Sequence, residues 1–154
     1  MRDLVQAWWR LLEPECVFNR TPASGGWSAP AARGQHKTAG DLVTTAQRFP
    51  FTVEVKHREG WSDRELRAGR RSPVWGWWRQ VVQSAAEEGR VPMLWFRRSR
   101  TAWLVMLPTT YHVANAIDVP VVCCWPAQVL NMLTHPVVVE ADALMKIDPK
   151  RFAT

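Results

Sequence analysis

The 154-residue sequence predicts one α/β domain, a central mixed β-sheet flanked by helices. Three observations predict it. The chain opens on an amphipathic helical pattern, short strand-like runs follow in pairs, and a helical pattern of about 15 residues separates the pairs. A composition 47% hydrophobic and 22% charged is that of a globular chain.

In order along the chain, residues 3–13 read as a helix. Asp3 is its cap, Pro14 limits its end, and Leu4, Ala7, Trp8, Leu11 and Leu12 form its stripe. Residues 16–19 read as a short strand. Residues 21–40, rich in Gly, Pro, Ala and Ser, read as a long loop, a length that in a compact domain is usually functional or disordered. Residues 41–45 and 51–57 read as strands of a hairpin turning at 47–50. Residues 60–72 are polar and basic. Pro73 then starts a helix running to Glu88, with Trp78, Val81, Val82, Ala85 and Ala86 inward and Gly89 as its C-cap. A second hairpin pairs 92–97 with 102–107. Beyond it, 119–124 reads as a strand carrying Cys123 and Cys124, 126–133 as a short helix, and the tail from Pro136 carries no clear chemistry.

Several classes are excluded. No apolar run reaches the ~18 residues of a membrane span, and charges interrupt the apolar residues of the N-terminus, so it is no secretory signal. Cys16 and the adjacent Cys123 and Cys124 form no disulfide framework and no C-x-x-C metal motif. A cytoplasmic protein with reduced thiols and no membrane partner is expected.

Sixteen Arg against four Lys set the net charge of +6, and its distribution is uneven. Residues 1–55 contribute +1, residues 56–100 contribute +6, and residues 101–154 contribute −1. The middle third therefore supplies the net charge, with eleven basic against five acidic side chains. Arginine offers a planar fork of donors that fits phosphate, so this region predicts a polyanion surface. Arg58, Arg64, Arg67, Arg70 and Arg71 are its candidate contacts, with Trp61 among them as a base-stacking candidate. Trp75 and Trp77 are either further stacking platforms or a dimer interface.

The most informative stretch is G-D-L-V-T-T-A-Q-R-F-P-F-T-V-E-V-K, residues 40–56. Alternation puts Phe51, Val53 and Val55 on one face of the second strand, and Thr52, Glu54 and Lys56 on the other. A hairpin centred between Gln47 and Arg48 places Asp41 directly opposite Glu54, their Cβ atoms ~5 Å apart. Two carboxylates so close repel unless a cation or a shared proton lies between them, and an all-oxygen pair with water positions suits Mg²⁺. Lys56, on the same face, is placed to act on a water and on developing phosphate charge. His57 faces the other way and reads as structural.

Asp41 followed by Glu54-Val55-Lys56, after an N-terminal helix, resembles the PD-(D/E)XK nuclease superfamily, and within it the Holliday junction resolvases of archaea and their viral relatives. The likeness covers residues 3–107 and leaves 108–154 as a C-terminal extension. It implies that Asp41 and Glu54 bind Mg²⁺, with Mn²⁺ able to substitute, that the Val55 carbonyl is a further ligand, and that Lys56 serves the attacking water. It also implies that Arg20 lies near the scissile phosphate and that loop 21–40, with Ser24 and Gly25-Gly26, reaches into the junction. A glutamine on the following helix completes the set, Gln80 rather than Gln83. One departure stands out: the resolvases carry a glutamate in the first helix, and here Leu4 or Val5 occupies that position, with Asp3 the nearest carboxylate.

The function expected from this resemblance is resolution of four-way DNA junctions by paired phosphodiester hydrolysis, giving 5′-phosphate and 3′-hydroxyl ends. A two-fold symmetric junction matches a C2 homodimer with two sites. The alternatives are a nuclease of the same type acting on linear duplex, flaps or repair intermediates, and a DNA-binding module without catalysis.

Overall fold

The computed structural model describes residues 1–21, 40–68, 72–114, 118–124 and 135–153. The expectations for loop 21–40 beyond Thr21 and Gly40, including Ser24, for Arg70 and Arg71, and for a helix at 126–133 lie outside the described residues.

Helix α1 (Arg2–Trp9) leads to a two-stranded antiparallel ribbon, β1 (Phe18–Arg20) with β2 (Leu42–Thr44). Strand β3 (Phe51–His57), helices α2 (Asp63–Ala68) and α3 (Val74–Glu88), and strand β4 (Val91–Arg97) follow. Then come β5 (Leu104–Pro108), α4 (Thr109–Ala114), β6 (Val121–Cys124), β7 (Pro136–Glu140), α5 (Ala141–Leu144) and a 3-10 turn (Pro149–Arg151). The main sheet has the order β3-β4-β5-β7-β6. Its β3–β4 pair is parallel and the others are antiparallel, so the sheet is mixed as expected.

Strand alternation divides the core into two layers. Met93, Trp95, Val105, Leu107, Val137 and Val139 face α1, whose Val5, Trp8 and Trp9 are buried among them. Leu94, Phe96, Met106 and Val138 face the other way, against Val74, Trp75, Trp78 and Val81 of α3. Edge-to-face aromatic contacts join α1 to the sheet: Trp9 meets Phe49 at 5.0 Å, and Phe49 meets both Phe18 at 4.9 Å and Phe51 at 5.3 Å.

Helix α3 matches the expected bounds, with Pro73 before it and Gly89 closing it at φ +64°, and it buries Trp78, Val81 and Ala85 as expected, while Ala86 is exposed. The α1 stripe matches only in part, since Trp8 is buried and Leu12 packs against the core as expected. The helix ends at Trp9, so Val5, Trp8 and Trp9 pack inward while Leu4 and Leu11 stay exposed. The unassigned tail supplies β7, which is inserted between β5 and β6 and buried from Pro136 to Val139.

The expected hairpin of 41–45 with 51–57 is corrected. Strand β2 pairs with β1, and β3 pairs in parallel with β4. The physical reason lies in residues 45–50. The Glu13 carboxylate accepts from the Gln47 and Arg48 N–H groups at 2.8 and 3.0 Å, and Thr45 N–H donates to the Val17 carbonyl. Phe49 is buried in the aromatic cluster, so this stretch is bound to α1 and β1 and cannot close a tight turn onto β3.

Candidate active site

Asp41 nonetheless reaches β3, by a different route. Its N–H donates to the Val53 carbonyl at 2.7 Å, and its Oδ2 accepts from the Val55 N–H at 2.8 Å. β3 lies at the edge of the main sheet, and these two bonds occupy its outer side. In an extended strand the N–H and C=O of one residue point to the same edge, so the Val55 carbonyl also faces the Asp41 side.

Gly40 makes this approach possible. Its φ is +86°, and a Cβ there would lie 2.7 Å from the Val53 oxygen. Glycine alone meets both conditions without strain. This is the residue of the site whose role the motif alone does not reveal; its only sequence signal is a glycine directly before the aspartate.

On the α3 side of β3, Glu54 is buried, 5% exposed. Its Oε1 accepts from the Lys56 ammonium in a close ion pair, and from the Gln80 amide at 3.2 Å. Further along the strand the Thr52 hydroxyl donates to the Glu88 carboxylate at 2.6 Å, tying the end of α3 to the same face. Gln83 instead pairs with Glu87 on the outer surface, which separates the two glutamines in favour of Gln80.

Burial pushes the Glu54 carboxyl above its ordinary pKa; the Lys56 contact opposes this, and the Asp41 charge adds to it. The donor set fits a divalent cation. Among the described residues, Glu54 Oε2 and Asp41 Oδ1 carry no hydrogen bond, leaving one oxygen on each carboxylate for a metal beside the Val55 carbonyl. Such oxygens with water completing the shell suit Mg²⁺. No third carboxylate joins them: among the described residues no group of three or more His, Cys, Asp or Glu converges. Asp3 is exposed and paired with its neighbour Arg2.

Arg20 ends β1 opposite Leu42, one residue from Asp41, and its side chain is exposed. Arg58, Arg64 and Arg67 are exposed on the segment after β3 and on α2. Trp61 is a correction. It is 5% exposed, its ring packs on Phe96 at 5.2 Å, and its Nε1 donates to the Arg58 carbonyl. A ring so enclosed offers no face to a base. Trp75 is likewise buried, and Trp77 half-buried against the α3 layer.

The family described as "Phage putative PDDEXK endonuclease" matches residues 1–149, well past the 3–107 span of the motif resemblance. Among solved structures the chain is similar to Hjc, a Holliday junction resolvase of the archaeal hyperthermophile Archaeoglobus fulgidus. That match has 18% identity and a TM-score of 0.37, over 93% of this chain and 87% of the other. No curated protein sequence matches the chain. With the Asp41, Glu54-x-Lys56 set assembled and the family match running almost end to end, this chain belongs to the phage PDDEXK endonuclease family.

Proposed function

We propose that the chain is a Mg²⁺-dependent DNA endonuclease that resolves four-way junctions as a homodimer. The observation that carries the hydrolytic part is the buried Glu54 carboxylate, held at one oxygen by Lys56 and Gln80 with Asp41 beside it. Asp41 Oδ1, Glu54 Oε2 and the Val55 carbonyl would hold the cation. When bound, Mg²⁺ supplies an acidified water and charge neutralisation at the phosphate.

The side chains act around it. Gln80 and Lys56 fix the Glu54 rotamer, so its second oxygen needs no reorganisation. The Lys56 side chain, 21% exposed, presents positive charge where the phosphate gains negative charge in an in-line attack. Arg20, beside Asp41, holds a non-bridging phosphate oxygen, and Arg58, Arg64 and Arg67 bind flanking phosphates. Junction selectivity is supported by the motif order: Arg20 closing a strand, then G-D-L-V, then V-E-V-K. Two symmetric cuts call for two copies.

A cleavage assay on a synthetic four-way junction and a linear duplex of the same arms, with and without Mg²⁺, tests this. Preferred junction cleavage that vanishes in Glu54→Gln is expected. Equal or better cutting of the duplex would move the activity to linear substrates. Cleavage undiminished in Glu54→Gln would remove the site from the reaction.

A further inference from the structure

Arg98 belongs to the cationic middle third, yet its charge is turned onto the protein. Its guanidinium stacks on the Trp61 ring at 4.8 Å, Nη1 donates to the Trp61 carbonyl at 3.4 Å, and Nη2 donates to the Asp63 carboxylate at 3.2 Å. Trp61 is buried against Phe96 and holds the Arg58 carbonyl through Nε1 at 3.0 Å. Two more bonds tie the same segment down. Arg58 N–H donates to the Arg97 carbonyl at 3.1 Å, and Ser99 N–H donates to the Glu59 carboxylate at 2.7 Å.

Residues 58–63 are thus fastened to the end of β4 and the turn after it. The segment begins two residues beyond Lys56 and runs into α2, where Leu66 is buried while Arg64 and Arg67 are exposed. We infer that Arg98 and Trp61 are positioning residues for DNA: with Asp63 they hold Arg58, Arg64 and Arg67 as a rigid phosphate-binding surface in fixed relation to Glu54 and Lys56. The inference rests on the nuclease reading. Cations ordered before binding lose less freedom on contact with the backbone, so the platform raises affinity without Arg98 touching DNA.

Asp63→Ala discriminates because the two accounts predict opposite signs. Removing an exposed carboxylate from a basic surface tightens polyanion binding if charge alone matters. If Asp63 acts by holding Arg98, KM for DNA rises about two- to fivefold, the range an exposed ion pair supports, while kcat changes by less than about twofold. Arg98→Lys keeps the charge and loses the flat stacking fork, so KM rises about tenfold. Amide hydrogen exchange then quickens at residues 58–68 and not in β4 or α3. In a double-mutant cycle, Arg64→Ala costs less in the Arg98→Lys background than in wild type.

Tighter binding by Asp63→Ala, or additive losses in the cycle, would overturn the inference. Wild type that neither binds nor cuts DNA in Mg²⁺ would remove the nuclease reading and this role with it. Unchanged exchange at 58–68 in Arg98→Lys would remove the role alone.

Discussion

Gln80 of α3 and Glu54 of β3 meet through a single carboxylate oxygen, Oε1, at 3.2 Å, and Lys56 binds the same oxygen. One side of the carboxylate is therefore fully engaged by protein, and the other remains for a ligand.

The first prediction concerns that division. Gln80→Ala removes a donor to the charged form of Glu54, so the carboxyl pKa rises further above its ordinary value. Junction cleavage in Mg²⁺ is expected to fall about tenfold, with the acid limb of the pH–rate profile displaced to higher pH. Gln83→Ala, whose side chain pairs with Glu87, is expected to change neither. Equal effects of the two substitutions would contradict the assignment.

A second prediction follows from burial. Because the folded pKa of Glu54 is raised, its protonation stabilises the metal-free fold below the unfolded value, and that contribution is lost as pH rises through the folded pKa. Glu54→Gln, neutral at all pH, is expected to melt at or above the wild-type temperature without metal at pH 8 and to cleave no DNA. If Glu54 holds Mg²⁺ as proposed, protons and the cation compete for this carboxylate, and raising Mg²⁺ is expected to move the acid limb of wild-type activity to lower pH. Thermal melts with and without Mg²⁺, and rate profiles at two Mg²⁺ concentrations, measure both.

Gly40→Ala introduces a Cβ 2.7 Å from the Val53 oxygen, at a φ of +86°. The expected cost is about 2 kcal/mol of stability. Asp41 is displaced with its neighbour, so cleavage falls by at least about tenfold even at temperatures where the variant stays folded. Denaturant unfolding paired with a cleavage assay separates the two effects.

Glu13 is a stabilising carboxylate outside the site. Burial works against its charge, but the Gln47 and Arg48 N–H groups and the Trp9 indole together hold its pKa below the ordinary value. A depressed folded pKa contributes stability that is present above the unfolded value of about 4.5 and lost as pH falls through the folded one. Glu13→Ala is expected to cost about 1 kcal/mol at pH 7, since the carboxylate is partly open to water. The gap from wild type should narrow below pH 4, as read by urea unfolding at both values.

Glu54 and Lys56 were legible because a strand has period two, and a polar pair on one face of an apolar strand admits few placements. Helix α3 was legible because Pro73 and Gly89 punctuate it, and β4 with β5 because they adjoin in sequence. Asp41 lies beside β3 at Val53 and Val55, not opposite Glu54 in a hairpin as expected. Local pattern finds the residues, but the partner of β3 lies beyond two helices, and such parallel pairing leaves no local mark. For β7 the signal was present as the run P-V-V-V, buried on both faces, yet its neighbours β5 and β6 are fixed only in three dimensions. Trp61 among arginines reads as a stacking platform, and only Phe96 and Arg98, supplied from far along the chain, turn it inward.

The contact of Asp41 with the outer side of β3 has a consequence for solubility. An unpaired border strand is a template on which a second chain can add itself, and natural sheets shield such borders. Here the shield is the Asp41 N–H, which occupies the Val53 carbonyl, and the Asp41 carboxylate, which occupies the Val55 N–H. Substitutions at Asp41 keep the backbone bond to Val53 but release the Val55 N–H and so open part of that border, whereas substitutions at Glu54 leave it shielded. Of Asp41→Ala and Glu54→Gln, the first is the one expected to aggregate more readily.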